Sequence, residues 1–193
     1  METAIRNIFM RWLHREGAMR SNVQVSVSSA ATWKPPQIDS IHKLNVAIFQ
    51  SNNFALVGFG LIIRNNKGEV LAASCDRVEK SLNPPCTAAF VMRKALLFCQ
   101  STSFSQVEVE CNFAKLVTFI NSDRICSLEA AWISEDISLI SDSFDFISFT
   151  SIPLRCNRAA LALSSATKEK DEVIVWLKEC SFSLFLIVQR DLH

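Results

Sequence analysis

The hydrophobic pattern first becomes regular near residue 43, where it has the two-residue period of a β-strand. Apolar and polar side chains alternate from Lys43 to Gln50, and a largely apolar segment from Ala55 to Ile63 follows, so both are predicted to be strands. The second contains two glycines, which permit close approach of another backbone. The segment from Asn65 to Gly68 (NNKG) predicts a hairpin turn, because Asn and Gly tolerate a positive φ. With Glu69 to Ser74 as a third strand, the pattern predicts an antiparallel three-stranded meander.

After two consecutive prolines at positions 84 and 85, apolar residues recur every three or four positions, which is the period of an α-helix. This apolar stripe consists of Ala88, Ala89, Met92, Ala95, Leu96 and Cys99. Further strands are predicted from Val107 to Cys111 and from Phe144 to Ile152, and further helices from Asn112 to Asn121, Ser134 to Ile140 and Cys156 to Thr167. Ser134 is the expected N-cap of its short helix. The pattern predicts the order β-β-β-α-β-α-α-β-α in a mixed α/β domain.

The first 35 residues have a different pattern and are predicted to form an N-terminal appendage. Its apolar residues Ile5, Ile8, Phe9, Trp12 and Leu13 recur at helical spacing, which predicts an amphipathic helix. A basic amphipathic start followed by serines is also typical of an organelle transit peptide, but Glu2 and Glu16 disfavour import. We expect residues 36–170 to form the main domain and residues 171–193 to form a tail packed on or near it.

Composition and charge are those of an ordinary globular protein. Hydrophobic residues make up 49% of the chain and charged residues 20%, with a formal net charge of +1, so any basic footprint for nucleic acid must be local. No apolar run is long enough for a membrane span. The seven cysteines are odd in number and include no CxxC pair, which favours a reducing compartment without disulfides or a zinc site. The expected location is intracellular, in the cytoplasm or the nucleus.

Several short motifs follow one another in an order that is similar to one family. Trp33-x-Pro-Pro36 and Lys43-Leu-Asn-Val46 resemble the opening of the ribonuclease H-like domain of plant retroelement reverse transcriptases and their stand-alone relatives. Further matching motifs are Gly58-Phe-Gly60, Ile63-Arg64 with Gly68, Arg93-x-Ala-Leu96, Val109-Glu-Cys111, Leu116 to Asn121, Cys156-Asn-Arg-Ala-Ala160 and Val175-Trp-Leu177. The resemblance extends from about Trp33 to the C-terminus.

The resemblance implies a five-stranded mixed sheet with helices on both faces. It also implies descent from enzymes that cleave the RNA strand of RNA–DNA hybrids. In such enzymes two Mg²⁺ ions clamp the attacking water and the leaving oxygen, and three or four acidic side chains hold the ions.

The family's acidic positions are occupied by other residues in this chain. When each motif is matched to its counterpart in the family, the four acidic positions correspond to Ala47, Ala88, Asn112 and Leu161. A shift of one residue restores no acid, since positions 46–48, 87–89 and 160–162 contain none. Glu110 shares a strand face with Asn112 but lies about 7 Å back along the strand. We therefore expect a non-catalytic domain that binds neither a metal ion nor another cofactor.

The resemblance further implies contacts with nucleic acid, either an RNA–DNA hybrid or double-stranded RNA, through 2′-hydroxyls and phosphates. The candidate residues are Asn45, Arg93, Lys94, Lys115, Arg155 and Arg158. The alternative is a scaffold or protein-interaction domain, or a decaying retroelement-derived reading frame with no selected role. A Cys–His nucleophile pair has little support, because His42 is the only histidine within the domain.

Overall fold

The computed structural model describes residues 24–27, 32–50, 56–79, 84–121, 128–167, 173–178 and 182–191. The strands are β1 (Gln24–Val27), β2 (His42–Gln50), β3 (Leu56–Arg64), β4 (Val70–Glu79), β5 (Gln106–Cys111), β6 (Phe146–Ser151) and β7 (Ile174–Leu177). The helices are α1 (Pro84–Ser101), α2 (Ala114–Asn121), α3 (Leu128–Ser141), α4 (Arg158–Ala166) and α5 (Phe182–Asp191), with a 3₁₀ turn at Leu154–Cys156. None of these described helices combines the length and the hydropathy needed to cross a lipid bilayer. The predicted amphipathic helix at Ile5–Leu13 lies outside the described residues.

The strands form one mixed sheet in the order β1-β6-β5-β2-β3-β4-β7. The predicted meander is confirmed, since β2 pairs antiparallel with β3 and β3 with β4. On the other side of β2, β5 and then β6 are added in parallel. The predicted count of five strands is too low, because β1 pairs with β6 at one edge and β7 with β4 at the other. Each edge strand has only four residues, too few for a sequence period to be detected.

Helices cover both faces of the sheet, as predicted, and each face has its own hydrophobic core. Alternate residues of β2 supply the two cores, because successive side chains of a strand point to opposite faces. Val46 packs with Met92 and Leu96 of α1 on one face. Ala47 packs with Ala160 of α4 and with residues of α5 on the other.

The turn between β3 and β4 is the predicted hairpin. Gly68 has a φ of 79°, and its N–H donates to the Asn65 carbonyl oxygen at 3.0 Å. The Asn65 side-chain oxygen accepts hydrogen bonds from the N–H groups of Lys67 and Glu69, at 3.0 and 2.9 Å. Asn therefore stabilises this turn through its side chain as well as through its backbone.

Three helix starts differ from the prediction, and the first is that of α2, which begins at Ala114 rather than Asn112. Helix α3 begins at Leu128, so Ser134 is not its N-cap but lies inside it. Its first turns (LEAA) combine apolar residues with strong helix formers, which continues the helix upstream of the serine. Helix α4 begins at Arg158 rather than Cys156, because the preceding Leu154–Cys156 forms the 3₁₀ turn.

Two glycines of β3 permit α4 to pack closely on the sheet, as their positions in the sequence predict. A Cβ atom added to Gly60 would lie 2.6 Å from the Leu163 Cβ and 2.6 Å from the Ser164 backbone nitrogen. At Gly58 an added Cβ would meet the backbone oxygen of Ser164 at 2.5 Å. Real Cβ atoms do not approach so closely, so a side chain at either position would push α4 outward.

Replacing Gly60 with alanine is expected to lower the free energy of unfolding by about 1–3 kcal/mol through overpacking against α4. Urea denaturation followed by circular dichroism measures the loss. The control is Lys67→Ala, which removes an exposed side chain in the hairpin turn and should change stability by less than about 0.5 kcal/mol. A Gly60→Ala variant as stable as this control would contradict the close packing of α4.

Candidate functional site

The carboxyl end of β5 lies beside the middle of β2, near the centre of the sheet. The two strands are parallel, and Val46 is the register partner of Cys111. Ala47 follows Val46 within β2, and Asn112 follows the last residue of β5, so this register brings the two predicted positions close together. Ala47 is fully buried, whereas Asn112 is half-buried.

Asn157 joins this part of the sheet to the start of α4. Its side-chain nitrogen donates to the Val46 carbonyl oxygen at 2.8 Å and lies 3.5 Å from the side-chain oxygen of Asn112. The backbone oxygen of Asn157 accepts from the N–H of Leu161 at 3.0 Å. Leu161 packs in turn against the buried cluster that contains Ala47. Three of the four predicted positions therefore meet around Asn157.

The fourth position, Ala88, lies in α1 and faces the other core. It is 8% exposed and packs in the cluster that contains Val46 and Met92, not in the cluster of Ala47. Ala88 therefore contributes apolar contact between α1 and the sheet.

The acidic side chain nearest to this site along β5, Glu110, is already engaged by two partners. One oxygen of Glu110 lies 2.8 Å from the Lys43 ammonium group, and the other accepts from the Asn45 side-chain nitrogen at 2.8 Å. Lys43 also lies 3.4 Å from Glu108 and donates to the backbone oxygen of Lys34 at 2.8 Å. Glu110 therefore belongs to a set of contacts at the start of β2.

These contacts continue into a buried charged network centred on Arg64. The Arg64 guanidinium donates to Asn45 at 2.8 Å and to Asp191 of α5 at 3.0 Å. The Trp33 ring covers it, with 3.4 Å between the ring centroid and the guanidinium carbon. Burial lowers the pKa of Arg64 to about 10, opposed by the charge of Asp191. Arg64 thus remains charged at neutral pH, and its contacts tie α5 and the segment before β2 to the sheet.

Comparison with known proteins identifies the family. A family model described as reverse transcriptase-like matches residues 45–167, which is more than half of the chain. The chain belongs to the reverse transcriptase-like family. Its domain is RNase H-like, as the sequence motifs predict, because solved RNase H structures share its fold. No curated protein sequence gives a significant match.

Three solved structures illustrate that similarity of fold. RNase H1 from the archaeon Halobacterium salinarum has a TM-score of 0.60 at 15% identity, over 67% of this chain and 98% of its own. The N-terminal RNase H domain of a Mycobacterium tuberculosis protein has a TM-score of 0.59 at 13% identity, over 67% and 94%. LC11-RNase H1, solved in complex with an RNA/DNA hybrid, has a TM-score of 0.57 at 19% identity, over 65% and 94%.

The residues at the RNase H-like site do not fit the Mg²⁺ ions that the fold family implies. Mg²⁺ prefers carboxylate oxygens, and Ala47, Ala88 and Leu161 carry no oxygen in their side chains. Asn112 and Asn157 offer neutral amide oxygens only, and the Asn157 oxygen is buried with no hydrogen-bond partner. Within the described ranges, no three His, Cys, Asp or Glu side chains are grouped so that they could hold a metal ion.

The predicted nucleic-acid residues of the RNase H-like domain divide into three groups. Asn45 is fully buried and both of its side-chain polar atoms are bonded within the network, so we exclude it from a contact surface. Arg93 and Lys94 pair with Asp136 and Asp76, at 2.8 and 3.0 Å. The exposed group consists of Lys115 on α2, Arg155 in the 3₁₀ turn and Arg158 at the start of α4. These three belong to the elements that directly follow β5 and β6.

A cysteine nucleophile has no support among the described residues. Burial raises the pKa of Cys99 and of Cys111 to about 12, so neither thiol forms a nucleophilic thiolate at neutral pH. Burial also lowers the pKa of His42, whose ring packs against Phe104 with 4.7 Å between centroids. The five described cysteines form no disulfide.

The sequence motifs did not reveal two of the residues that organise this site. Asn157 was part of a matching motif, but its hydrogen bond to Val46 joins positions 111 residues apart. Glu110 shares a strand face with Asn112, and that position alone does not indicate an ion pair. Asn45 is the register partner of Glu110, and Lys43 is that of Glu108. Opposite charges on neighbouring strands favour cross-strand pairing, so Lys43 and the two glutamates were the sequence signal for these contacts.

Proposed function

We propose that the RNase H-like domain binds an RNA–DNA hybrid or double-stranded RNA without cleaving it. The proposal is supported by the four positions that the resemblance assigns to acids, where this chain has Ala47, Ala88, Asn112 and Leu161. Three of these side chains are apolar, and the structure describes them as buried or half-buried.

The absence of cleavage is supported by the requirements of the chemistry. Two-metal hydrolysis needs ligands that neutralise the charge of both ions and hold them in line with the scissile phosphate. One or two amide oxygens cannot do this. Glu110 cannot replace the missing acids, because Lys43 and Asn45 hold both of its oxygens. Moving it would break an ion pair whose lysine is 7% exposed.

Binding is supported by the basic residues around the candidate site. Lys115, Arg155 and Arg158 are exposed on elements that follow the strand ends, where a duplex that approached the former metal site would present phosphates. Neutral residues at the site remove the repulsion that four carboxylates would exert on a nucleic-acid backbone. LC11-RNase H1 was solved with an RNA/DNA hybrid, so the fold is compatible with such a ligand.

The test measures binding and cleavage of the same labelled duplexes. Fluorescence anisotropy at low salt should detect binding of RNA–DNA hybrid or double-stranded RNA by the full chain. Gel analysis of the same samples with Mg²⁺ or Mn²⁺ should detect no cleavage. The double variant Arg155→Ala/Arg158→Ala should weaken binding and reduce the slope of log affinity against log salt by about 2, because each phosphate contact contributes about 0.9.

The matched control is Lys34→Ala/Lys67→Ala, which removes the same total charge from two exposed residues. Lys34 lies beside Lys43 at the start of β2, and Lys67 lies in the hairpin turn, so both are at the opposite end of the sheet. Its binding curve should match that of the unmodified chain. No binding at low salt, or an equal loss in both double variants, would contradict the proposal and favour a scaffold or protein-interaction role.

A further inference from the structure

Asn157 is a buried residue that lies between two of the exposed arginines near the candidate site. The 3₁₀ turn that carries Arg155 ends at Cys156, and α4 begins with Arg158. Asn157 is 1% exposed, and its φ of −118° and ψ of 27° are not those of a helix. The backbone at Asn157 therefore sets the direction of the turn relative to the helix.

The side chain of Asn157 does not cap the helix that it precedes. An asparagine at an N-cap usually accepts a hydrogen bond from a backbone N–H of the first helical turn, but Asn157 makes no such side-chain bond to α4. Its amide nitrogen donates instead to the Val46 carbonyl oxygen of β2 at 2.8 Å. Its side-chain oxygen is buried without a hydrogen-bond partner. The side chain thus attaches the turn to the sheet.

The backbone hydrogen bonds of the turn are local. The N–H of Cys156 donates to Pro153 at 2.9 Å, and that of Asn157 donates to Leu154 at 3.0 Å. These bonds shape the turn but do not fix its position on β2. Helix α4 is held separately by its close packing on β3 at Gly60, so the bond from Asn157 to β2 acts mainly on the turn.

We propose that Asn157 is a positioning residue for nucleic-acid binding, which holds the turn of Arg155 beside Arg158 so that both arginines meet one duplex. This inference rests on the proposed function. Asn157 does not itself contact the duplex, because its side chain is buried and bonded to β2. A turn attached to the sheet presents Arg155 to a phosphate with a smaller loss of conformational freedom than a loose turn does.

Replacing Asn157 tests the proposal through the salt dependence of binding, which the loss of an uncharged side chain would not otherwise change. Each phosphate contact contributes about 0.9 to the slope of log affinity against log salt. Asn157→Ala should weaken binding about fivefold and lower this slope by about 0.9, as the loss of one phosphate contact does. Fluorescence anisotropy of the full chain with a labelled RNA–DNA hybrid and a labelled double-stranded RNA, over a range of salt concentrations, measures both quantities.

A double-mutant cycle shows whether Asn157 acts through Arg155. If it does, Asn157→Ala should weaken binding by less than about twofold once Arg155→Ala is present, because the contact that it supports is already absent. In the Arg158→Ala background the loss of about fivefold should remain, since residues in independent contacts give additive effects.

A second variant, Asn157→Ser, separates the attachment of the turn from the stability of the helix. Serine is also a favourable N-cap residue, but its side chain is shorter and has no amide nitrogen to donate to Val46. This variant should keep α4 stable and still lower the affinity and the slope as Asn157→Ala does. The matched control is Ser141→Ala, which removes a buried side-chain hydrogen bond of 2.7 Å within α3 and should leave both quantities unchanged.

The possible outcomes distinguish a failure of the positioning role from a failure of the proposed function. Weaker binding by Arg155→Ala, with an unchanged slope in both Asn157 variants, would overturn the positioning role and leave nucleic-acid binding intact. Losses that add in the double-mutant cycle would also overturn it, because Asn157 would then act independently of Arg155. A chain that binds neither duplex at low salt would contradict the proposed function and the positioning role together.

Discussion

Replacing Arg64 with alanine is expected to lower the free energy of unfolding by about 3–5 kcal/mol, because it leaves a buried carboxylate without its partner. The side chains of Arg64 and Asp191 are 0% and 2% exposed, and their charged atoms are 3.0 Å apart. The substitution also removes the donor to Asn45 and the cation beneath the Trp33 ring. Urea denaturation followed by tryptophan fluorescence measures the effect.

The size of this loss should depend on pH through Asp191. Burial raises the pKa of the Asp191 carboxyl above its usual 3.8, and Arg64 acts in the opposite direction, so removing Arg64 raises that pKa further. A carboxyl whose folded-state pKa exceeds its unfolded value destabilises the fold when it is ionised. Protonation relieves this cost as pH falls through the folded pKa. The loss in free energy of unfolding caused by Arg64→Ala should therefore be largest at neutral pH and should become smaller toward pH 4.

The matched control for this prediction is Arg93→Ala. Arg93 makes an ion pair of similar length with Asp136, but its side chain is 36% exposed, so its loss should cost less than about 1 kcal/mol. The double variant Arg64→Met/Asp191→Leu should recover much of the stability lost by Arg64→Ala, because it removes both buried charges. Equal losses in Arg64→Ala and Arg93→Ala would show that the network contributes no more than a surface ion pair.

Restoring the four acids is expected to produce cleavage of an RNA–DNA hybrid where the unmodified chain produces none. The variant is Ala47→Asp/Ala88→Glu/Asn112→Asp/Leu161→Asp. Charge stabilisation by a bound metal ion is worth several kcal/mol, so with Mn²⁺ or Mg²⁺ the rate should exceed the background measured with the unmodified chain at least about hundredfold. A gel assay with a labelled RNA strand measures this rate.

A second readout separates folding from catalysis in this variant. Carboxylates about 4 Å apart repel by roughly 4 kcal/mol per pair at an effective dielectric near 20, so the metal-free variant should unfold at a lower temperature than the unmodified chain. Mn²⁺ should raise that temperature. The control carries amides (Ala47→Asn/Ala88→Gln/Leu161→Asn) and should neither cleave the hybrid nor respond to Mn²⁺. Cleavage by the unmodified chain would refute the proposed loss of activity.

Much of the sheet could be predicted because its signals are local. The meander follows from the period of β2, β3 and β4 and from the NNKG turn between two of them. The two glycines of β3 likewise indicated a close backbone approach. Strands β1 and β7 were missed, since four residues are too few to establish a period and their pairing partners are distant in sequence.

The sequence predicted which positions belong to the candidate site, but not the contacts that their side chains make. The motifs assigned four positions, and the structure brings three of them, Ala47, Asn112 and Leu161, together around Asn157. Asn45 shows the limit of this approach. Its polar side chain beside a site motif is typical of a nucleic-acid contact, but strand pairing buries it between Arg64 and Glu110.

The sequence alone determined which chemical groups are available: no acid at any of the four positions, and a short list of basic residues. These are properties of composition and order, which folding does not change. Only the tertiary structure decided which of those groups face one another. Strand register and helix packing bring together residues far apart in the chain, such as Arg64 and Asp191. Burial then separates the side chains that can reach a ligand from those that hold the fold together.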